Sequence, residues 1–231
     1  MDLDGLLAAR PALHLDADGR PVQLEVSPVL LRRIDAAIRP GARTLETGLG
    51  LSTVLFALKG AQHTCVAPWG TDINRLRDWC AEAAIDTGSV TFCQGRSEDV
   101  LPGLERTPLD AVLIDGGHGF PAPFIDWWYA GRRLVPGGTL FVDDTQLWTG
   151  AVLRDFLDEQ PEWELIERLP MRAAILRRVA AEDPAKFDEW VHQPYVVRRS
   201  WTHGWRGMAR RAVRGADLVR RRVSRTASED D

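Results

Sequence analysis

Residues able to do chemistry fall in five short stretches, each at the end of an apolar run. The first is Glu46-Thr47-Gly48-Leu49-Gly50-Leu51-Ser52-Thr53. Gly48 and Gly50 permit a tight turn and leave no Cβ in the way of a ligand. A dinucleotide fingerprint places a third glycine where Thr53 stands, and a phosphate-cradling loop needs a lysine that is missing here. Glu46 sits just before the glycines instead. A carboxylate there suits a ligand with a cationic head and no phosphate. The second stretch, Val66-Ala67-Pro68-Trp69-Gly70-Thr71-Asp72, carries Pro68 and Trp69 where nucleoside sites hold an acid for the ribose hydroxyls. Trp69 and Asp72 are the candidates left for that contact, and Asp72 reads equally well as the N-cap of the next helix.

The third stretch, Gly95-Arg96-Ser97-Glu98-Asp99, offers backbone N–H groups and the Ser97 hydroxyl to the edge of a base. Ser97 can also cap a short helix whose first turn favours Glu98 and Asp99. The fourth, Asp115-Gly116-Gly117-His118, is hard to explain as packing. Asp115 can serve a metal or the positive part of a ligand, and His118 can act as a base toward a hydroxyl. The fifth is Asp143-Asp144. Two adjacent carboxylates ending an apolar strand carry a desolvation cost unless they are paired, solvated or bound to a cation. Asp115, Asp143 and Asp144 together form an oxygen-only donor set suited to a hard ion such as Mg²⁺. The plain alternative is that Asp143 and Asp144 cap the next helix or pair with Arg132 or Arg133.

The elements that must position these residues alternate. Short apolar strands are expected at 43–47, 62–67, 89–94, 109–115 and 138–143. Helical stretches at 51–59, 72–85, 120–133 and 149–160 separate them. That order predicts an α/β fold with a Rossmann-like, doubly wound, mostly parallel sheet. Two further runs, 163–168 and 173–177, lie too close together for a helix between them and read as a C-terminal antiparallel hairpin. Upstream, Ser27 and Pro28 start a helix as N-cap and first helical residue, and Pro40-Gly41 stops it. Asp16-Ala17-Asp18-Gly19 reads as a plain turn, since its spacing lacks the closing glutamate of a calcium loop. The chain divides into an N-terminal helical and turn cap (1–40), the sheet domain (41–180) and a C-terminal extension (181–231).

Composition bounds the rest. The 231 residues are 45% hydrophobic and 27% charged, as in an ordinary globular protein. No apolar run reaches the roughly 20 residues of a membrane span. Cys65, Cys80 and Cys93 form no CxxC pair and read as reduced thiols of a cytoplasmic protein. From Arg198 onward ten arginines face four acids, a basic tail on an acidic body. Residues 201–225 can form a helix with Met208, Ala212, Ala216, Val219 and Val223 on one side, able to lie on an anionic membrane or an acidic partner. The acidic body argues against nucleic acid. A homo-oligomer is left open.

With these residues in view, the chain resembles the class I S-adenosylmethionine-dependent methyltransferases, in particular catechol-O-methyltransferase-like enzymes and their bacterial small-molecule relatives. The resemblance spans about residues 27 to 179 and rests on the Glu46–Thr53 turn, Gly95-Arg96-Ser97-Glu98, Ile114-Asp115-Gly116-Gly117-His118 and Val142-Asp143-Asp144. It implies S-adenosylmethionine as cofactor, with Glu46, Gly48 and Ser52 around its methionine part and Ser97 near its adenine; Gly50, Thr53, Gly95 and Asp115 complete the candidate set. It implies a Mg²⁺ ion on Asp115, Asp143 and Asp144, with His118 as base and Asp143 as the second catalytic group. The acceptor is then a small molecule methylated on a hydroxyl oxygen. Two departures stand out: the ribose-binding acid is missing, and His118 stands where the family usually has lysine. A non-catalytic scaffold of the same fold is the first alternative, and an NAD-dependent oxidoreductase the second.

Overall fold

A computed structural model describes residues 1–181 apart from positions 23, 25 and 171. The basic tail, with its expected helix and membrane or partner contact, lies outside the described residues.

Seven strands form one sheet in the order β3-β2-β1-β4-β5-β7-β6. The strands are β1 (Arg43–Thr47), β2 (Gln62–Ala67), β3 (Val90–Gln94), β4 (Leu109–Ile114), β5 (Leu134–Val142), β6 (Trp163–Leu169) and β7 (Ala173–Arg178). The first five pair in parallel, whereas β7 runs antiparallel to both β5 and β6. Both the parallel body and the closing hairpin agree with the alternation read from the sequence. The order reverses beside β1, between β2 and β4, so the carboxyl ends of those strands border a crevice where open α/β sheets bind ligands.

Helices cover both faces: α1 (Leu3–Ala9), α2 (Pro28–Ala37), α3 (Leu51–Leu58), α4 (Gly70–Glu82), α5 (Ser97–Val100), α6 (Ala122–Tyr129) and α7 (Trp148–Asp158). Ser27 caps α2 by accepting from the Leu30 N–H, and Pro28 opens the helix as expected. It ends at Ala37, with Ile38 already extended as its C-cap ahead of Pro40. Strand side chains alternate between faces. Leu113 and Phe141 pack with Leu30, Ile34, Leu55 and Phe56 on the α1–α4 side, and Val112 and Leu140 pack with Trp127, Leu153 and Leu157 on the α6–α7 side. Along β1, Leu45 faces the α6–α7 core, so Glu46 must face α3. The N-terminal cap shares the α3 core through Leu6, Leu30 and Leu31.

Two boundaries differ from expectation in ways that affect the site. α4 begins at Gly70 rather than at 72, and α6 begins only at Ala122, freeing residues 115–121 as a loop. Asp16 accepts from the Asp18 and Arg20 N–H groups, the ordinary turn expected there. Cys65, Cys80 and Cys93 are free thiols. Among the described residues no helix is long and apolar enough to cross a membrane.

Candidate functional site

A cavity of about 690 Å³ opens at the carboxyl ends of β1, β2 and β4. Thr47, Gly48 and Leu49 line it from the glycine turn, Val66, Ala67, Pro68, Trp69 and Asp72 from the end of β2, and Ser97 from α5. Asp115, Gly116, Gly117 and His118 come from the loop after β4, Asp144 and Arg172 from the far side, and His14 and Leu24 from the N-terminal segment.

The glycine turn is held by the network behind it. Gly48 has a φ of +101°, and a Cβ there would stand 2.3 Å from the Asp115 carbonyl oxygen. Only glycine lets the end of β1 come this close to the end of β4. Thr53 accepts from the Gly50 N–H at 3.1 Å and donates to Glu46, while Ser52 donates to Glu46 at 2.7 Å. His63 Nε2 lies 3.1 Å from the same carboxylate. Glu46, Ser52, Thr53 and Gly50 therefore do not line the cavity. Strand alternation, invisible in the motif alone, turns Glu46 into α3, where it braces the turn from behind. The cationic ligand head expected beside Glu46 has only Thr47, Gly48 and Leu49 to meet on this strand end.

At the end of β2, Asp72 is not an N-cap. Trp69 holds that position because α4 starts early, and Asp72 falls in the first helical turn. Its carboxylate, nearly buried in the cavity wall, meets His14 Nδ1 at 2.8 Å and accepts from Arg75 at 2.9 Å. His14 Nε2 donates to the Leu49 carbonyl at 2.9 Å. One histidine thus ties the N-terminal segment to both the glycine turn and α4. Asp72 Oδ1 also accepts from the Thr71 hydroxyl, so it is Oδ2, bonded to His14 alone, that retains a lone pair for a ligand hydroxyl. Trp69 is 60% exposed and stands at the rim.

After β3, Gly95 adopts a φ of +148° and would drive a Cβ to 2.6 Å from Val100. It shapes the bend and does not line the cavity. Ser97 does, and it is the first residue of α5; Arg96 is the cap.

The loop after β4 and the end of β5 bring three groups together. Asp115, His118 and Asp144 place donor atoms within 4.8 Å of one another, an arrangement of the right size for a metal ion. His118 Nε2 is 3.1 Å from Asp144 Oδ2, and Thr149 at the start of α7 donates to the His118 carbonyl. Burial, and then the negative charges of Asp143, Glu46 and Asp144, hold the Asp115 carboxyl well above the usual range. Bringing such carboxylates together without a counter-charge is costly, and a cation would relieve it. Asp143 is a correction to the expected set. It is 5% exposed, does not line the cavity, and its Oδ1 has no partner. Both aspartates lie just beyond the end of β5, and only one of them lines the cavity. Asp144, with a φ of +50°, does so. Its carboxylate also accepts from Gln146 and lies 4.0 Å from Arg172; neither aspartate caps α7, whose N-cap is Leu147. The donor set thus contains an imidazole where oxygen alone was expected.

Around this loop Trp127 packs into the sheet core, but Phe120 and Trp148 are 69% and 67% exposed with ring centroids 6.2 Å apart. Sequence reasoning missed His14, Thr47, Arg172 and Asp126. His14, Arg172 and Asp126 sit in no recognisable motif and come from segments remote in sequence, whereas Thr47 stands inside the glycine-turn stretch with nothing in its type to single it out.

A family profile described as a methyltransferase domain matches residues 45–145, from β1 through the Asp143-Asp144 pair. No curated protein matches the sequence. Among solved structures, the O-methyltransferase TomG from Streptomyces achromogenes, in complex with SAM, is similar over 76% of this chain and 90% of its own, with 19% identity and a TM-score of 0.60. An O-methyltransferase from Bacillus cereus in complex with SAH aligns over 77% of this chain and 90% of its own, at 18% identity and a TM-score of 0.58. An rRNA methylase from Streptococcus thermophilus aligns over 66% and 95%, at 12% identity and a TM-score of 0.52. These likenesses share the fold and differ in acceptor.

Proposed function

We propose that this chain is a class I S-adenosylmethionine-dependent methyltransferase that methylates a hydroxyl oxygen of a small molecule, with His118 as the base; the methyltransferase-domain profile over residues 45–145 supports the first part. The observation that carries this reading is the His118–Asp144 contact at the mouth of the cavity. The place of the cavity of about 690 Å³ at the switch point of the sheet supports it as the cofactor site.

When bound, S-adenosylmethionine supplies an electrophilic methyl group on a sulfonium. The residues of this chain then have to hold the acceptor oxygen in line and remove its proton, so much of the catalysis is positioning. With Nε2–H turned to the Asp144 carboxylate, the neutral imidazole keeps its lone pair on Nδ1. His118 takes the hydroxyl proton there, and Asp144 stabilises the imidazolium that forms. Phe120 and Trp148 beside His118 give an apolar shelf for the rest of the acceptor, which favours a small ring-bearing molecule.

Asp115, His118 and Asp144 fit a divalent ion in number and charge; Mg²⁺ or a metal tolerant of nitrogen would orient the acceptor oxygen and lower its pKa. A His118 nitrogen that holds the ion is not the one that takes the proton. The test is calorimetric titration of S-adenosylhomocysteine, followed by an acceptor screen with and without Mg²⁺ for wild type and His118→Ala. Micromolar binding at one site, with His118→Ala losing turnover but binding within a few-fold, is the expected result. Wild-type turnover by the variant removes His118 as base, and no binding up to millimolar ligand makes a scaffold of this fold the better reading.

A further inference from the structure

Asp126 takes no part in the chemistry above, yet it meets the cavity wall at three places. It lies on α6 with no exposed surface. Thr47, at the end of β1, donates to its Oδ2 at 2.7 Å. Ser97, at the start of α5, hydrogen-bonds to the same carboxylate. Gly116, after β4, packs so closely that a Cβ there would stand 3.2 Å from Oδ2. Thr47, Ser97 and Gly116 all line the cavity. The remaining oxygen, Oδ1, is buried and has no partner.

Packing does not explain a carboxylate here. An apolar side chain of similar size would fill the space without the desolvation cost, which pushes the carboxyl up to about 6. Hydrogen-bond direction does explain it. An ionised carboxylate only accepts, and a hydroxyl has a single proton. Thr47 spends its proton on Asp126 and Ser97 is drawn to the same carboxylate, which leaves the two hydroxyls only lone pairs to offer a group in the cavity that their residues line. An asparagine or a water in the same place would leave that direction free to reverse.

We infer that Asp126 is a positioning residue that fixes Thr47 and Ser97 as hydrogen-bond acceptors, so that this wall selects donor groups of the cofactor. The inference rests on the S-adenosylmethionine reading, whose cofactor carries three kinds of donor: an amino group on the base, ribose hydroxyls and an α-ammonium. A wall of acceptors rejects an analogue in which a donor becomes an acceptor or is lost, because a buried polar atom is left unpaired.

Three probes test it at pH 8: S-adenosylhomocysteine, S-inosylhomocysteine (a 6-oxo base in place of the amino group) and the α-deamino analogue of S-adenosylhomocysteine. Affinities are measured for wild type, Asp126→Asn and Ser97→Ala. Wild type should bind at least one analogue about tenfold or more weakly than S-adenosylhomocysteine. Asp126→Asn, whose amide can donate and so turn a hydroxyl proton outward, should narrow that ratio to about threefold or less. Ser97→Ala keeps the carboxylate and serves as the second variant. It should weaken S-adenosylhomocysteine more than the 6-oxo analogue. A merely structural role would weaken all three ligands alike. Unchanged ratios in both variants overturn the inference while leaving the function intact. Failure of wild type to bind any of the three removes the function reading, and this inference with it.

Discussion

Replacing Asp126 by asparagine should make the folded protein more stable. Burial, the first cause of the shift, lifts the carboxyl from its ordinary 3.8 to about 6, even after the Ser97 and Thr47 hydrogen bonds have pulled it down. That rise corresponds to about 3 kcal/mol of preference for the neutral group in the folded state. The folded value exceeds the unfolded one, so folding favours the protonated form. The ionised group therefore costs stability in full above about pH 6, progressively less as pH falls toward 4, and nothing below that. Asparagine removes the charge and keeps the shape. It leaves an amide nitrogen short of an acceptor, a loss of about 1 kcal/mol. The net gain at pH 8 is then about 2 kcal/mol, or about 4–8 °C in Tm for a chain of this size. Urea unfolding or calorimetry at pH 8, 6 and 4.5 checks both size and trend. The gain should shrink as the pH is lowered. A variant less stable than wild type at pH 8, or a difference that ignores pH, would refute the argument that this carboxylate is kept against its own cost.

The other expectations are simpler to read. Gly48→Ala should lose about 2–4 kcal/mol of stability and most S-adenosylhomocysteine binding, because the new Cβ meets the Asp115 carbonyl at 2.3 Å in a backbone conformation that L residues avoid; calorimetry reports both, and an unperturbed Tm would sink it. Asp144→Asn should weaken Mn²⁺ or Mg²⁺ binding by about tenfold or more, whereas Asp143→Asn leaves it within a few-fold, since only Asp144 reaches the cluster. The reverse order in a metal titration would restore Asp143 as the ligand. Native thiol titration at pH 8 should find no fast-reacting cysteine, because burial raises the Cys65, Cys80 and Cys93 thiols above their ordinary value. All three should react after denaturation.

The sheet was legible because its signals are local. Each parallel strand is a short apolar run, each helix a period-3.6 stretch, and the hairpin follows from two runs too close for a crossover. The end of each strand could therefore be named, and with it Gly48, Ser97, Asp115 and His118. Which neighbour at a strand end faces the ligand was less legible. Strand alternation decides it, and one residue of register moves a side chain to the other face. The sequence places Glu46 beside the ligand's cationic head and Asp143 on a metal ion. The structure turns one into α3 and leaves the other buried, while Thr47 and Asp144, each one position later, line the wall.

The same reasoning accounts for the absent ribose acid. Pro68 and Trp69 occupy the place after β2, and helix α4 starts at Gly70, two residues early, with Trp69 at its N-cap. Starting early rotates Asp72 from a capping position onto the cavity wall. A carboxylate there, alone and nearly buried, would carry an unpaid desolvation cost, and His14 and Arg75 supply the counter-groups. His14 lies 58 residues before Asp72 and Thr47 79 before Asp126, so no local pattern could pair them. On the S-adenosylmethionine reading, Asp72 and its partner His14 together stand in for the acid that Pro68 and Trp69 replace. His14→Ala should then weaken S-adenosylhomocysteine by roughly tenfold, as expected when a supporting partner of a binding carboxylate is removed. His14→Gln, able to reach the Leu49 carbonyl and Asp72 with one amide, should recover part of that affinity. Equal losses in the two variants would mean that the N-terminal segment merely packs there, and that Asp72 binds, if at all, without it.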